Sequence, residues 1–283
     1  MPSSARTYSA PLSLLLVAPL LVLLTFGFVY PVGSLIWGSF LGGAGPFANY
    51  ERIVSEPLFL KILLRTFQVA LAVSILTFLL GYPVAYAMAR LKGRLASIVL
   101  ACVLLSLWTS VLVRSYAWIV LLQRNGILNT FMLEVGIVES PLRLLYTEGA
   151  VIMAMSHILL PFMILPIYSA LRGIPEEYMR AARNLGAGTT TVFIRIILPL
   201  SLPGVFAGSL MTFILALGFY VTPALVGGPR TLMMATLIGQ QATEMLNWPF
   251  AGALAAVLLG STLLVAFVFR KVLTLNKGFD HGN

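Results

Sequence analysis

Long apolar blocks alternate with short polar stretches along the whole chain. A helix that crosses a membrane needs about 20 mostly apolar residues. Six blocks qualify, at roughly 14–37, 66–89, 96–122, 149–171, 199–220 and 250–270. The pattern predicts an all-α integral membrane protein with six transmembrane helices in one transmembrane domain over residues 1–283. Pro199, Pro203 and Gly204 interrupt the start of the fifth block. Pro199 is expected to break or kink the chain at the membrane surface, because proline lacks an N–H and its ring clashes with the preceding turn. The first block follows Arg6 and mimics a secretory signal. It runs from Leu12 to about Trp37, however, and the apolar region of a signal takes only about 7–15 residues. We therefore expect a retained first span.

One stretch departs from this pattern. "RGIPEEYMRAARNLGAG", residues 172–188, has the marks of a short surface helix. Pro175 stands at the start, Glu176 and Glu177 fall in the first turn, and Gly186 stands just past the end. The predicted helix covers about 175–186. Glu176 and Arg180 are four residues apart, as are Ala181 and Leu185, so each pair shares a face. Ala181 and Ala182 would let another surface come close to the backbone, with Met179 and Leu185 as apolar anchors. The pattern alone also fits an amphipathic helix lying on lipid.

Composition supports the membrane reading. Only 10% of the 283 residues are charged, against about 25% in soluble domains. The net charge of +9 comes from scattered Lys and Arg with no basic run, which argues against a nucleic-acid partner. With the N-terminus placed in the cytoplasm, the inner segments carry a balance of +8 and the outer ones, including Arg114, only +1. By the positive-inside rule both termini and the 175–186 helix face the cytoplasm. The longer segments 38–65, 123–148 and 221–249 are then outer loops. Cys102 is the single cysteine and there are two histidines, so neither a disulfide within the chain nor a metal site built on those ligands is expected. No cofactor is expected. "PALVGGPR", residues 223–230, is a glycine-rich turn without the Lys-Ser/Thr ending of a phosphate loop.

The spacing inside the polar stretch is more specific. Ala181-Ala182, three residues, Gly186, nine residues, then Ile196-Ile197-Leu198-Pro199 resembles the cytoplasmic motif of bacterial ABC importer permeases. The leading acid of that motif is replaced here by Arg180, with Glu176 and Glu177 one turn upstream. The segments "LWTSVLVRSYAW", "LYTEGAVIMAMSHILLPFMILPIYSAL", "GFYVTPALVGGPRTLMMATLI" and "NWPFAGALAA" look like spermidine/putrescine-type permeases, in particular the first permease of the pair. The similarity runs from about Arg65 to Lys277.

The resemblance implies a type I ABC importer permease fold in the bacterial inner membrane. It implies that the polar helix is a coupling helix seated on a separate ATPase, with Glu176, Glu177, Arg180, Ala181, Ala182, Leu185, Gly186, Ile196, Leu198 and Pro199 as coupling residues. It further implies cytoplasmic ATPase subunits, a second, paralogous permease, an extracytoplasmic binding protein and surrounding lipid as partners. The chain itself is then non-catalytic. The implied solute is a small amine: a polyamine first, otherwise an opine, aminobutyrate or aminophosphonate.

Single residues leave alternatives open. Arg114 is the one charge well inside a predicted span. It lies about 12 Å from the outer end at 1.5 Å per residue, so it either snorkels outward among Trp108, Tyr116 and Trp118 or lines a path. Trp108, Arg114, Tyr116, Tyr220 and Trp248 are the candidate path residues. Glu244 with Trp248 would suit a cation, or be a solvated acid beside an interfacial tryptophan. His157 reads as a packing residue. It has no neighbouring acids for a proton relay, which argues against a proton-driven secondary transporter. Gly204, Ala207 and Gly208 read as a close-packing face. A membrane enzyme would need a cluster of His, Asp, Glu or Cys, and residues 1–283 hold none.

Overall fold

The computed structural model describes residues 10–41 and 45–277. Among them every regular element is helical. In chain order these are α1 (Leu14–Gly38), α2 (Ala48–Ser55), α3 (Pro57–Arg90), α4 (Arg94–Trp108), α5 (Val111–Leu122) and α6 (Ile127–Glu134). Then come α7 (Glu148–Arg172), α8 (Glu176–Asn184), α9 (Thr189–Leu217), α10 (Val221–Val226), α11 (Met234–Thr243) and α12 (Trp248–Lys277). Helices α1, α3, α7, α9 and α12 are long and apolar enough to cross a membrane. The pair α4 and α5–α6 makes a sixth span only if its 96° bend is counted as one broken crossing.

The core is a bundle of α3, α7 and α9. Small residues bring these helices together. A Cβ on Gly204 would stand 2.5 Å from Ala170 Cβ and 2.6 Å from the Pro166 carbonyl oxygen, and one on Gly208 would stand 3.0 Å from the Met163 carbonyl oxygen. Close backbone approach of this kind is how helices gain contact where lipid is as apolar as leucine. Ala207, in contrast, faces outward. Met155, Leu159, Met163, Ile164 and Ile167 of α7 are all at most 2% exposed, so α7 is the axis of the fold. The Tyr82 hydroxyl and Ser201 Oγ share a 2.9 Å hydrogen bond that ties α3 to α9. Helix α1 lies outside this core and leans on α12, where the Gly252 backbone meets the Leu35 carbonyl.

Four expectations change. The 96–122 block is not one helix. It breaks at Thr109 and Ser110, both extended (ψ 133° and 135°). The Thr109 hydroxyl turns back onto the Leu105 carbonyl at 2.9 Å and closes off α4. The second span is longer than 66–89, because α3 starts at Pro57 and runs 34 residues. Pro199 does not break the fifth span. Helix α9 begins at Thr189, and a π-turn at Phe193–Ile197 precedes the proline. The wider turn makes a five-residue bond from the Leu198 N–H to the Phe193 carbonyl, which leaves room for the ring. Finally, the 221–249 segment is mostly helical. Met234 and Leu237 of α11 are buried, and the Met234 N–H donates to Thr66 Oγ1 of α3 at 2.8 Å. Arg6 and Asp280, which enter the charge balance, lie outside the described residues.

Candidate coupling surface

Helix α8 is closed at both ends by local chemistry. Pro175 is extended (φ −61°, ψ 135°) and caps the start, so the helix begins at Glu176, one position later than the sequence suggests. At the other end Gly186 adopts φ +83°. The Gly186 N–H donates to the Arg183 carbonyl at 2.9 Å and the Ala187 N–H to the Ala182 carbonyl at 3.0 Å. That pair of bonds is the Schellman closure, and its left-handed residue favours glycine.

The helix has two distinct faces. Met179, 8% exposed, packs inward with Met88 of α3, Leu171 of α7 and Val192 and Ile197 of α9. Ala182 and Ala187 close against the same cluster. Met179 is therefore not the free apolar anchor that the sequence suggests, while Ala182 is half-buried. They hold α8 to its own bundle, and burying a methionine side chain contributes about 2 kcal/mol. The outward face carries Glu177, Tyr178, Ala181 and Leu185, with Leu185 89% exposed.

Arg180, at the motif's acid position, turns to Glu176. Its Nη2 donates to Glu176 Oε2 at 2.8 Å. That hydrogen bond, with Lys92 and Arg90 close by, holds the Glu176 carboxyl below the usual carboxylate range. Arg90 in turn donates to Met179 Sδ at 2.7 Å and stacks over the Tyr86 ring at 5.3 Å. Ile196, Leu198 and Pro199 lie on α9 directly after α8, with Ile196 and Leu198 packed against the same inner cluster as Met179.

The candidate path residues are not gathered into one site. Trp108 is 85% exposed at the end of α4, Tyr116 is 57% exposed on α5, and Tyr220 and Trp248 are exposed at the starts of α10 and α12. Arg114 alone is buried, at 9% exposure. It does not snorkel. Its Nη1 reaches back across the break to Ser106 Oγ and over to the Ile158 carbonyl of α7, both at 3.4 Å, while Nε has no partner. Its neighbour Ser115 shares a 2.9 Å bond with Thr222 of α10. His157 accepts from Trp118 Nε1 at 3.3 Å, as a packing histidine would. Tyr220 lies over Gly239, where a Cβ would stand 2.5 Å from the ring. Glycine 239 is thus a packing requirement that no sequence pattern announced. No group of three or more His, Cys, Asp or Glu that could hold a metal occurs among the described residues.

The chain superposes on a chain of the bacterial alginate ABC transporter in complex with alginate pentasaccharide-bound periplasmic protein. The TM-score is 0.71 at 16% identity, covering 91% of this chain and 92% of that one. Residues 79–273 match the family "Binding-protein-dependent transport system inner membrane component", and the chain belongs to that family. It is 35% identical over 232 residues to the spermidine/putrescine transport system permease protein PotB of Escherichia coli, covering 81% of this chain and 83% of that protein. The PotB of Haemophilus influenzae is 37% identical over 229 residues, covering 81% and 79%. The protein is thus a multi-pass inner-membrane permease of an ABC importer.

Proposed function

We propose that this permease carries a polyamine, spermidine or putrescine, with α8 as its coupling helix. The observation that supports the solute is the identity with PotB over four-fifths of the chain. The support for coupling is geometric: one face of α8 is locked into the ends of α3, α7 and α9, and the other is free. A cytoplasmic ATPase closing on Leu185, Ala181 and Glu177 would move three core helices together. Both termini and α8 then face the cytoplasm, in keeping with the basic bias of the inner segments. Transport needs a second permease to complete the path and a binding protein to deliver solute outside.

For a cationic solute the chain offers an unusual membrane interior. Beyond Glu134 at the last position of α6 and Glu148 in the first turn of α7, no Asp or Glu lies in the spans among the described residues. Among the described residues Arg114 is the one buried charge. A cation and Arg114 repel, so Arg114 serves the bend between α4 and α5 and does not hold the solute. The carboxylates that select an amine sit on the partner chains. The test is uptake of labelled spermidine and putrescine by vesicles holding the assembled transporter and its binding protein. Saturable, ATP-dependent uptake of either one is expected. Uptake of an opine or aminophosphonate instead would move the solute, and uptake without ATP would overturn the reading.

A further inference from the structure

A cleft of about 270 Å³ opens between α8 and the ends of α3 and α7. Five cations line it: Arg90 and Lys92 at the end of α3, Arg172 at the end of α7, and Arg180 and Arg183 on α8. The single acid there is Glu176, already bonded to Arg180. Lys92, Arg172 and Arg183 form no ion pair among the described residues. Scattered surface cations normally avoid such crowding, since like charges at close range repel. A converging set of this kind is stabilised by a bound anion.

Position decides which anion. Arg90 and Arg172 are the last residues of two spans, so the cleft lies where the core helices leave the membrane. Its wall includes the amphipathic ring of Tyr86 and the apolar Leu171 and Ile197. Aromatic rings at headgroup depth and basic pockets between span ends are the surroundings of an acidic lipid headgroup. The volume falls just below the roughly 300–1,000 Å³ of pockets that engulf a whole small ligand. It suits a headgroup whose tails stay in the bilayer. The cleft also lies away from the face offered to an ATPase. Glu176, Met179, Arg180 and Arg183 share one helical face at three- and four-residue steps, whereas Glu177, Ala181 and Leu185 share another.

We propose that this cleft binds the phosphate of an anionic phospholipid, held by Arg90, Lys92 and Arg172 at the span ends and by Arg180 and Arg183 on α8. The lipid wedges α8 against the bundle and stiffens it. Binding itself does not depend on the coupling role of α8, so it can be tested separately.

The experiment is native mass spectrometry of the full-length protein released from micelles containing equal phosphatidylglycerol and phosphatidylcholine. The wild type and the control Arg230→Gln, at an exposed position away from the cleft, should retain phosphatidylglycerol preferentially. The double variant Lys92→Gln/Arg172→Gln should lose that preference about twenty-five-fold, taking each basic residue to contribute about fivefold. If the double variant does not fold, the single variants and a KCl titration of the wild type carry the test, with preference falling as salt rises. Two results would overturn the proposal: equal retention of both lipids, or a preference unchanged in the variants. Displacement by inorganic phosphate at matched ionic strength would also overturn the lipid source and leave a free-phosphate site.

Discussion

Two interruptions of the spans behave in opposite ways. At Phe193–Pro199 a proline stands where a span emerges from the membrane, and the helix carries on through a π-turn. At Thr109–Ser110 there is no proline and no glycine, and the chain turns by 96°. The first lies next to α8 and belongs to the stiff side of the molecule, packed by Met179, Ile197 and Leu171. The second leaves α4 with no buried residue. Arg114 reaches both α7 and the segment before the break, beside the packing of Val99, Leu100 and Val103 on the core and the Trp118–His157 contact. Proline removes one hydrogen bond and demands space. Where neighbours supply both, the helix survives. A break in membrane needs its freed polar groups satisfied, and the Thr109 hydroxyl, bonded to the Leu105 carbonyl, does part of that without any breaker residue.

The largest effect is expected on the stiff side. Gly204→Leu would drive its Cβ into Ala170 and the Pro166 carbonyl. Neither can yield without moving the α7 backbone, so the variant should fail to accumulate in the membrane, as read by fractionation and immunoblot. A normal yield would mean that α9 does not lie against α7 as described.

The bend gives a sharper test, because proline should now be tolerated where a helix was expected. Ser110 has φ −55° and Thr109 ψ 133°, angles that suit a proline and the residue before it. Ser110→Pro should shift stability by under about 1 kcal/mol, whereas Leu105→Pro inside α4 should cost about 3 kcal/mol. Thermal melts in detergent compare the two. Equal damage would restore the unbroken 96–122 helix.

Arg114→Met removes a buried cation held only by two long bonds. Losing its desolvation cost should leave stability unchanged or raise it by up to about 2 kcal/mol. Spin-label distances between residues 97 and 120 should broaden as the tie is lost. Stability falling sharply with the distance unchanged would mean that Arg114 has a partner charge elsewhere.

The smallest effect is at Glu176. A lowered native value means that its pairing contributes above the ordinary carboxylate range. The contribution is lost only as pH falls through the lowered value. Glu176→Gln should therefore alter uptake little, and equally, between about pH 6 and 8. A difference that grows across that range would show that another group sets the charge of α8.

The long apolar runs that become α1, α7 and most of α12 are legible in sequence because no charged residue interrupts them. The start of α3 is not, since Lys61 and Arg65 break its apolar run before the helix enters the membrane. Nor is the bend, because threonine and serine carry no backbone prohibition and the contacts across it, such as Arg114 with Ser106 and Ile158, exist only in the fold. On α8 the motif locates the helix and its glycine closure. It does not tell which face is inward. Met179 and Leu185 are equally apolar on paper, and only packing against Met88 and Ile197 separates a buried residue from an 89% exposed one.

The central claim is that α8 turns its Leu185 face, not its Met179 face, to the ATPase. With Cys102, which is free and exposed, replaced by serine, Leu185→Cys and Met179→Cys can each be cross-linked in membranes containing the cognate ATPase. The account predicts a permease–ATPase product from position 185 and none from 179. A product from 179, or none from 185 while the transporter remains assembled, would contradict it.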